Sequence, residues 1–322
     1  MQRDGKGRAR RAHLSGTLTR VTSDTRRRLA VLTNPNAGHG KGKSAAAPVL
    51  DLLERRGVEV EHVTGTSRED AAAKILTAAQ NGPDAILSVG GDGTHGVALQ
   101  AAVATGVPLA IVPAGTGNDL ARVIDLPLKS VEQAVEVALT GKAQAYDVGR
   151  VTTADGASRY FVTVAMAGFD SLVADRNNAM SWPNGRARYV VAIGVEYAQL
   201  KPRQFRVVVD DEVIDGPMIL AAVGNTRSYG GDMKICPDAD PHDGQLDVTI
   251  IHGVRYPRLQ LPAILPKVFS GAHVKHPAVS THRGRRIELI TPDMNAYADG
   301  DCAGSLPAVI EAVPAGLSLI TP

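Results

Sequence analysis

Three glycine-containing stretches of the sequence each follow an apolar run that is typical of a buried strand. They are NPNAG (34–38), GGDGTHG (90–96) and AGTGND (114–119), after the runs LAVLT (29–33), DAILSV (84–89) and PLAIVP (108–113). Glycine lets the backbone approach a ligand and present successive N–H groups to an anion, and a following helix points its positive end there. Asp92 would repel a phosphate in this setting unless a cation such as Mg²⁺ bridges the two. The combination favours a magnesium–nucleotide site, although each stretch alone is also typical of a plain tight turn.

The first stretch is close to a Walker A loop but does not match it. That pattern has a glycine, four residues, and then Gly-Lys-Ser or Gly-Lys-Thr. Counted back from Gly42-Lys43-Ser44, the first glycine position falls on Ala37. The residues alone therefore leave open a degraded Walker loop and a phosphate loop of another kind.

The segment that carries these stretches alternates short apolar strands with helices. Helices are predicted at 44–57 and 67–82, the second with a capping-box-like start at Ser67 and Asp70. This alternation is typical of a mainly parallel sheet with helices on both faces. The carboxyl ends of its strands face one crevice, so the three turns are expected to converge.

After Gly149 the pattern becomes that of an antiparallel β domain. Its apolar runs are separated by Asp-Gly and Gly-Gly turns, with helical interruptions predicted at about 170–200 and 257–270. The final GLSLITP is predicted to be a strand. The predicted fold class is thus α/β, with an N-terminal nucleotide-binding domain and a C-terminal antiparallel, β-sandwich-like domain.

Composition and charge agree with a globular protein in a reducing compartment. Apolar residues make up 44% and charged residues 21% of the 322 residues, and no apolar run approaches the ~18–20 residues of a membrane span. Cys236 and Cys302 form no CxxC motif, which favours the cytoplasm over an oxidising compartment.

Positive charge is concentrated at the N-terminus. Residues 1–28 hold nine of the 35 Lys and Arg but two of the 33 Asp and Glu, so the rest of the chain is net negative. The segment has no continuous apolar region, so it is not a secretory signal, and we interpret it as a disordered basic tail. Attraction to an anionic membrane and no role at all both stay open for it.

The motifs NPNAG, GGDGT and PAGTGND, in this order, resemble the diacylglycerol kinase catalytic-domain family. The likeness is to its bacterial soluble lipid kinases, which are relatives of sphingosine and ceramide kinases. It extends into GNTRSYGGDMKICPDADPHDGQLDV (224–248) and ADGD (298–301). The resemblance implies an ATP-binding domain at 29–146, a lipid-acceptor domain at 147–305, and a last strand, about 306–322, that returns to the first domain. It also implies that NPNAG is a family nucleotide loop and not a Walker A loop.

The resemblance implies transfer of the γ-phosphate of MgATP to a hydroxyl of diacylglycerol or a related lipid, which gives phosphatidic acid or the matching lipid phosphate. Asp301 would be the catalytic base, and Asp92 would organise the catalytic Mg²⁺. The residues implied in ATP binding are Asn34, Pro35, Asn36, Ala37, Gly38, Thr64, Gly90, Gly91, Asp92, Gly93, Thr94, His95, Gly96 and Thr116.

A second, structural Mg²⁺ is implied at Asp240, Asp243 and the backbone carbonyl of Gln245. Hard oxygen ligands in a glycine-containing loop suit this ion. From the residues alone, without the resemblance, an acidic hairpin loop is the favoured description.

The chain departs from the family pattern at two places. The family usually has Glu where Asp301 stands, and the Asp side chain is shorter by one C–C bond, or about 1.5 Å. After GGDGT the family commonly has Asn-Glu, whereas this chain has Gly96-Val97. A misplacement of ~1 Å can cost ~10²-fold in rate, so these departures affect rate and acceptor identity more than the reaction class.

The resemblance further implies a cytoplasmic enzyme that works at the inner face of the membrane as a peripheral protein, with no nucleic-acid partner and with a homodimer among the possible states. Basic residues near Trp182 and Tyr189 either dock on lipid headgroups or form a solvated helix face: Arg176, Arg186, Arg188, Lys201 and Arg203. Two other functions stay open, an NAD kinase-like enzyme with a nucleotide acceptor and a non-catalytic nucleotide- or lipid-binding regulator.

Overall fold

The computed structural model describes residues 27–34, 41–184 and 186–322, without the side chains of 41–44 and 186. The predicted tail therefore lies outside the described residues except for Arg27 and Arg28, and the first strand already begins at Arg28. The predicted nucleotide residues Pro35, Asn36, Ala37 and Gly38 also lie outside them.

The first part of the chain alternates strands and helices, as its apolar pattern predicts. The elements are β1 (Arg28–Thr33), α1 (Lys41–Arg55), β2 (Glu59–Thr64), α2 (Arg68–Gln80), β3 (Ala85–Gly90), α3 (Asp92–Thr105), β4 (Leu109–Pro113), α4 (Asp119–Val123) and α5 (Val131–Thr140).

The four strands pair in parallel in the order β2, β1, β3, β4. Every residue of β3 is buried, as expected for a central strand that is covered on both faces. The predicted start of α2 is confirmed, because the Ser67 hydroxyl accepts the Asp70 backbone N–H at 3.1 Å.

The second part of the chain is mainly antiparallel. Its elements are β5 (Lys142–Thr153), β6 (Ser158–Phe161), β7 (Val164–Gly168), α6 (Phe169–Ala179), α7 (Arg186–Ala198), β8 (Arg203–Val209), β9 (Glu212–Gly224), β10 (Leu246–His252), α8 (Pro257–Val268), β11 (Val279–Gly284), β12 (Arg286–Ile290), β13 (Asn295–Ala298), β14 (Asp301–Ser305) and β15 (Ala308–Thr321).

Both predicted helical interruptions are present in this part, as α6 with α7 and as α8 followed by a 3₁₀ turn (Ala272–Lys275). The antiparallel strands run in the order β15, β12, β8, β9, β7, β13, β14, and β10 and β11 extend from β9. The predicted fold class, a parallel α/β part followed by an antiparallel β-sandwich-like part, is confirmed.

The last strand connects the two parts. β15 pairs with β5 over almost its full length, and Leu319 pairs in parallel with Leu109 of β4. Leu317, Leu319 and Ile320 of β15 are buried in the core of the first part. The C-terminal strand therefore fixes how the two parts face each other.

No helix in the described part of the chain is long and apolar enough to cross a membrane.

Besides the core of the first part, two apolar cores lie in the second part, one between its strands and one beneath α6, α7 and α8.

Candidate active site

A cleft of about 500 Å³ opens where β1, β3 and β4 end. These carboxyl ends share one edge of the sheet, where open α/β folds bind their ligands. The predicted residues Asn34, Gly91, Gly93, Thr94 and Thr116 line the cleft. The other lining residues are Leu32, Thr33, Gly65, Thr66, Ser67, Arg68, Ala71, Val97, Ala114 and Gly115.

Two of the glycine turns touch each other through their backbones. The Ala114 N–H donates to the Gly90 carbonyl at 2.7 Å. A Cβ built on Gly115 would lie only 2.6 Å from the Cα of Gly91. Glycine is therefore needed here to bring the turns after β3 and β4 together. The backbone N–H groups of both turns then lie beside the same cleft.

Asp92 fastens these two turns to each other. Its Oδ2 accepts the Asn118 backbone N–H at 2.9 Å, and its Oδ1 accepts the Asp119 N–H at 2.8 Å. Asn118 has a left-handed φ of 53°, and its side chain closes the turn on the N–H and carbonyl of Gly115. The geometry of the cleft floor thus depends on this one carboxylate.

Asp119 extends the network to the second part of the chain. Its carboxylate accepts the N–H groups of Gly230 and Gly231 at 2.7 and 2.8 Å. Burial raises the pKa of Asp119, and the neighbouring Asp92 charge raises it further against these hydrogen bonds. Two adjacent carboxylates of this kind suit a divalent cation, which would offset their mutual repulsion.

A tight turn presents Asp301 to the same region. Asp299 and Gly300 have φ angles of 50° and 80°. The half-buried Asp299 carboxylate accepts the Val162 and Thr163 N–H groups at 2.9 and 2.8 Å, and its partial burial raises its pKa. Asp299 therefore anchors the turn from which Asp301 projects.

Asp301 faces the first turns of α3 and contacts two arginines. A Cβ built on Gly96 would lie 3.4 Å from Asp301 Oδ2. Arg68 of α2 forms two hydrogen bonds with the carboxylate, at 2.9 and 2.5 Å, and Arg159 of β6 forms a third. The predicted base thus lies beside the phosphate turns with two cations as neighbours.

Five of the described residues predicted to bind ATP do not line the main cleft: Thr64, Gly90, Asp92, His95 and Gly96. Asp92, His95 and Gly96 line a small adjoining pocket with Asp119 and Asp299. Thr64 lines a separate shallow cleft with Lys74 and Thr77. His95 is buried, its Nδ1 bonds the Ser88 hydroxyl at 2.9 Å, and burial lowers its pKa to about 4. A contact between His95 and a nucleotide would therefore use its backbone and not its ring.

In the loop predicted to bind the structural Mg²⁺, the carboxylates of Asp240 and Asp243 already contact other groups of the protein. Asp243 Oδ1 accepts the Gln245 N–H at 2.9 Å, and its Oδ2 lies 3.4 Å from an Arg283 nitrogen. Asp240 is exposed and accepts the His242 N–H at 3.1 Å. Over the residues that the structure describes, no three His, Cys, Asp or Glu side chains form a metal cluster. The predicted site needs only two carboxylates and a carbonyl, and Mg²⁺ would share Asp243 with Arg283.

Sequence reasoning missed the arginines around Asp301 and the bridging role of Asp119. For Arg68 no local signal indicates a distant partner, because Glu69 and Asp70 already place anions in the first turn of α2. For Arg159, no pattern in the chain near β6 indicates that its partner is Asp301.

Two family models match the chain. Residues 28–151 match the diacylglycerol kinase catalytic domain, and residues 163–321 match the YegS C-terminal NAD kinase beta sandwich-like domain. The chain is also 44% identical to a diacylglycerol kinase of Mycobacterium tuberculosis over 296 residues, which are 92% of this chain and 95% of that protein. The chain belongs to the diacylglycerol kinase family.

More distant relatives agree with this assignment. A diacylglycerol kinase of Bacillus subtilis is 26% identical over 285 residues, which are 87% of this chain and 92% of that protein. The crystal structure of a diacylglycerol kinase from Bacillus anthracis has the same fold, with a TM-score of 0.67 and 18% identity over 92% of this chain and 97% of that one. Membership identifies the chain as a kinase, for which ATP and usually a divalent metal are the cofactors.

Proposed function

We propose that this family member transfers the γ-phosphate of MgATP to the hydroxyl of diacylglycerol or a closely related lipid. The observation that carries the proposal is the position of Asp301 beside Gly96, at the edge of a cleft made from glycine turns. A phosphate group and a base for the acceptor hydroxyl are both needed at one place in such a transfer.

Each part of the site then has a defined task. The N–H groups of the turns after β3 and β4 bind phosphate oxygens. Asp92 holds the two turns at a fixed distance through its hydrogen bonds to Asn118 and Asp119. A Mg²⁺ ion near Asp92 and Asp119 would neutralise charge on the phosphates. The lipid oxygen bonds to the γ-phosphorus as the bond to the leaving ADP breaks, and Asp301 accepts the hydroxyl proton.

The second metal is proposed at Asp240, Asp243 and the Gln245 carbonyl. Its role would be to hold the loop before β10 in shape. We expect Mg²⁺ to raise the melting temperature of the wild type, and EDTA to reverse this. The Asp243→Ala variant should lose part of this response, because the site near Asp92 and Asp119 is unchanged, while Asp51→Ala, on the exposed side of α1, should keep all of it. An equal response in Asp243→Ala would place the ion elsewhere.

Contact with the membrane surface is proposed for the α7–α8 face, which we define as the exposed apolar side chains Trp182, Tyr189, Val190, Val191, Ile193, Val254, Tyr256, Leu259, Leu265 and Phe269. Trp182 and Leu259 are 78% and 76% exposed. The Tyr197 hydroxyl donates to the Arg258 carbonyl at 2.5 Å, which joins α7 to α8. Residues 253–277 contain Lys and Arg but no Asp or Glu. Apolar side chains among cations suit an anionic lipid surface.

Vesicle sedimentation tests this contact. Leu259→Asp should reduce binding to vesicles that contain phosphatidylglycerol, and it should reduce transfer to lipid more than nucleotide binding. Val213→Asp is the matched control, because Val213 is 54% exposed but belongs to the β8–β9 hairpin. Equal losses in both variants would exclude the α7–α8 face as the docking site.

The acceptor is tested by transfer of labelled γ-phosphate from MgATP in mixed micelles. Diacylglycerol, a sphingoid base, a ceramide and NAD are offered side by side. Label on diacylglycerol supports the proposal, and label on another lipid corrects its acceptor. Label on NAD alone would favour the NAD kinase-like alternative, for which the second family model is the supporting observation. Nucleotide binding without transfer to any acceptor would favour a regulator.

A further inference from the structure

A two-point ion pair joins the two parts of the chain beside the nucleotide cleft. Arg68 Nη1 donates to Asp301 Oδ1 at 2.9 Å, and Nη2 donates to Oδ2 at 2.5 Å. The two side chains keep 40% and 23% of their surface exposed. A planar guanidinium that faces both carboxylate oxygens is a strong and orientation-specific contact.

Arg68 is at the same time part of the nucleotide cleft. It lines the cleft, and its Nη1 and Nη2 lie 3.9 and 3.6 Å from Cβ positions built on Gly93 and Gly96. Both glycines belong to the first turns of α3, where the positive end of the helix favours an anion. The guanidinium is therefore within reach of a phosphate bound at this end of α3.

The carboxylate and a phosphate would need the same N–H groups. Guanidinium binds either anion through paired, parallel hydrogen bonds, and a phosphate that approaches the Nη1–Nη2 edge of Arg68 would take the two donors that now face Asp301.

We propose that Arg68 binds the terminal phosphate of the nucleotide, and that this phosphate and Asp301 compete for its guanidinium. The inference rests on the proposed function, in which Asp301 is the base. When Arg68 turns to the phosphate, Asp301 loses one of its two cationic partners and its Oδ1 can accept the proton of a lipid hydroxyl. Phosphate binding in the first part of the chain thus makes the base in the second part available.

Arg159 has a different role in this arrangement. It belongs to β6, donates to Asp301 Oδ2, and is 17% exposed. Its Nη2 lies 3.3 Å from a Cβ position built on Gly96, but it is not among the described residues that line the cleft, and its Nε is buried with no partner in the described part of the chain. Arg159 therefore stays with Asp301 after Arg68 leaves and acts as a positioning residue.

Nucleotide binding without lipid tests the competition, because it does not depend on turnover. We would measure the affinity of a non-hydrolysable ATP analogue, with Mg²⁺, and of AMP by calorimetry. Arg68→Ala should weaken the analogue about tenfold, the size expected for a hydrogen bond between charged groups. It should leave AMP within about twofold, because AMP has no terminal phosphate at this position. Arg55→Ala, an exposed arginine of α1 that pairs with Asp51, is the matched control and should bind as the wild type does.

The Asp301 variants make the test specific. Asp301→Ala should bind the analogue several-fold more tightly than the wild type, because Arg68 is released to the phosphate. In an Arg68→Ala background the same substitution should change affinity by less than about twofold. An equal gain in both backgrounds would mean that Asp301 acts by direct repulsion of the phosphate, and this would overturn the proposal. If Asp301→Ala does not fold, Asp301→Asn gives the same comparison with a smaller gain.

Failure of this inference can be distinguished from failure of the proposed function. A wild type that transfers phosphate to lipid while Arg68→Ala keeps full affinity for the analogue contradicts only the role of Arg68. A wild type that binds no triphosphate contradicts both.

Discussion

The two carboxylates that we assign to the reaction are held in different ways. Asp92 accepts two backbone N–H groups, from Asn118 and Asp119, whereas Asp301 is held by the side chains of Arg68 and Arg159. Backbone donors are fixed by the fold, but a guanidinium can exchange one anion for another. The position of Asp92 at the phosphate end of the site is therefore fixed before ligands bind. The partners of Asp301 at the base end can change when a nucleotide binds.

At the phosphate end of the site, the largest effect is expected from Asp92→Asn. The amide group would place an N–H₂ against the N–H of Asn118 or Asp119, which leaves one backbone donor unpaired and weakens a metal ligand. Turnover should fall by ~10²–10³-fold, as for loss of a preorganised electrostatic group. The free energy of unfolding should fall by ~1–3 kcal/mol. Steady-state kinetics measures the turnover, and urea unfolding measures the free energy of unfolding. Asp51→Asn, on the exposed side of α1, is the control for both measurements. Wild-type turnover in Asp92→Asn would remove the distinction between the two carboxylates.

A slightly smaller effect is expected from Gly115→Val. The new side chain would push on the Gly91 backbone, because a Cβ at this position already lies 2.6 Å from the Gly91 Cα. Separation of the two turns by ~1 Å should lower turnover by about 100-fold and also weaken ATP-analogue binding. Gly194→Ala is the control, because nothing lies within 4 Å of a Cβ built on that glycine of α7. If both variants bind equally well, the contact between the turns does not shape the nucleotide site.

The smallest effect on activity is expected from His95, which changes how stability depends on pH at the fixed end of the site. Burial lowers the pKa of His95 to about 4 from 6.5. Above pH 6.5 the ring is neutral in both states. Between pH 6.5 and 4 the unfolded chain takes up a proton that the native ring does not, so stability falls as pH falls. His95 should account for up to about 3 kcal/mol of this loss. Urea unfolding across this range should show a shallower pH dependence in His95→Asn than in the wild type. Equal slopes would mean that the buried ring does not titrate in this way.

The same difference between backbone and side chain decides what the sequence could predict. The strands before the glycine turns are predicted to within a residue or two, because an apolar run and the glycines after it are adjacent in the chain. The start of α2 at Ser67 is likewise a local signal. The fold class follows from these elements and from the Asp-Gly and Gly-Gly turns of the second part.

The surroundings of Asp301 depend on residues that are far apart in the chain. Arg68 and Arg159 lie 233 and 142 positions from it, and no periodicity relates residues at such separations. Asp119 is similar, because its bridge to Gly230 and Gly231 appears only when the two parts face each other. The roles of Thr64 and of the loop at Asp240 and Asp243 come from the family resemblance alone and stay predictions.

The most direct test of the whole account is lipid phosphorylation by Asp301→Asn with nucleotide binding measured on the same preparation. The amide keeps the size of the side chain but cannot accept the hydroxyl proton. We predict that transfer of labelled phosphate from MgATP to diacylglycerol falls by ~10²–10⁴-fold, as for removal of a general base, while the ATP analogue still binds at least as tightly as in the wild type. Transfer at the wild-type rate would contradict the assignment of Asp301 as the base.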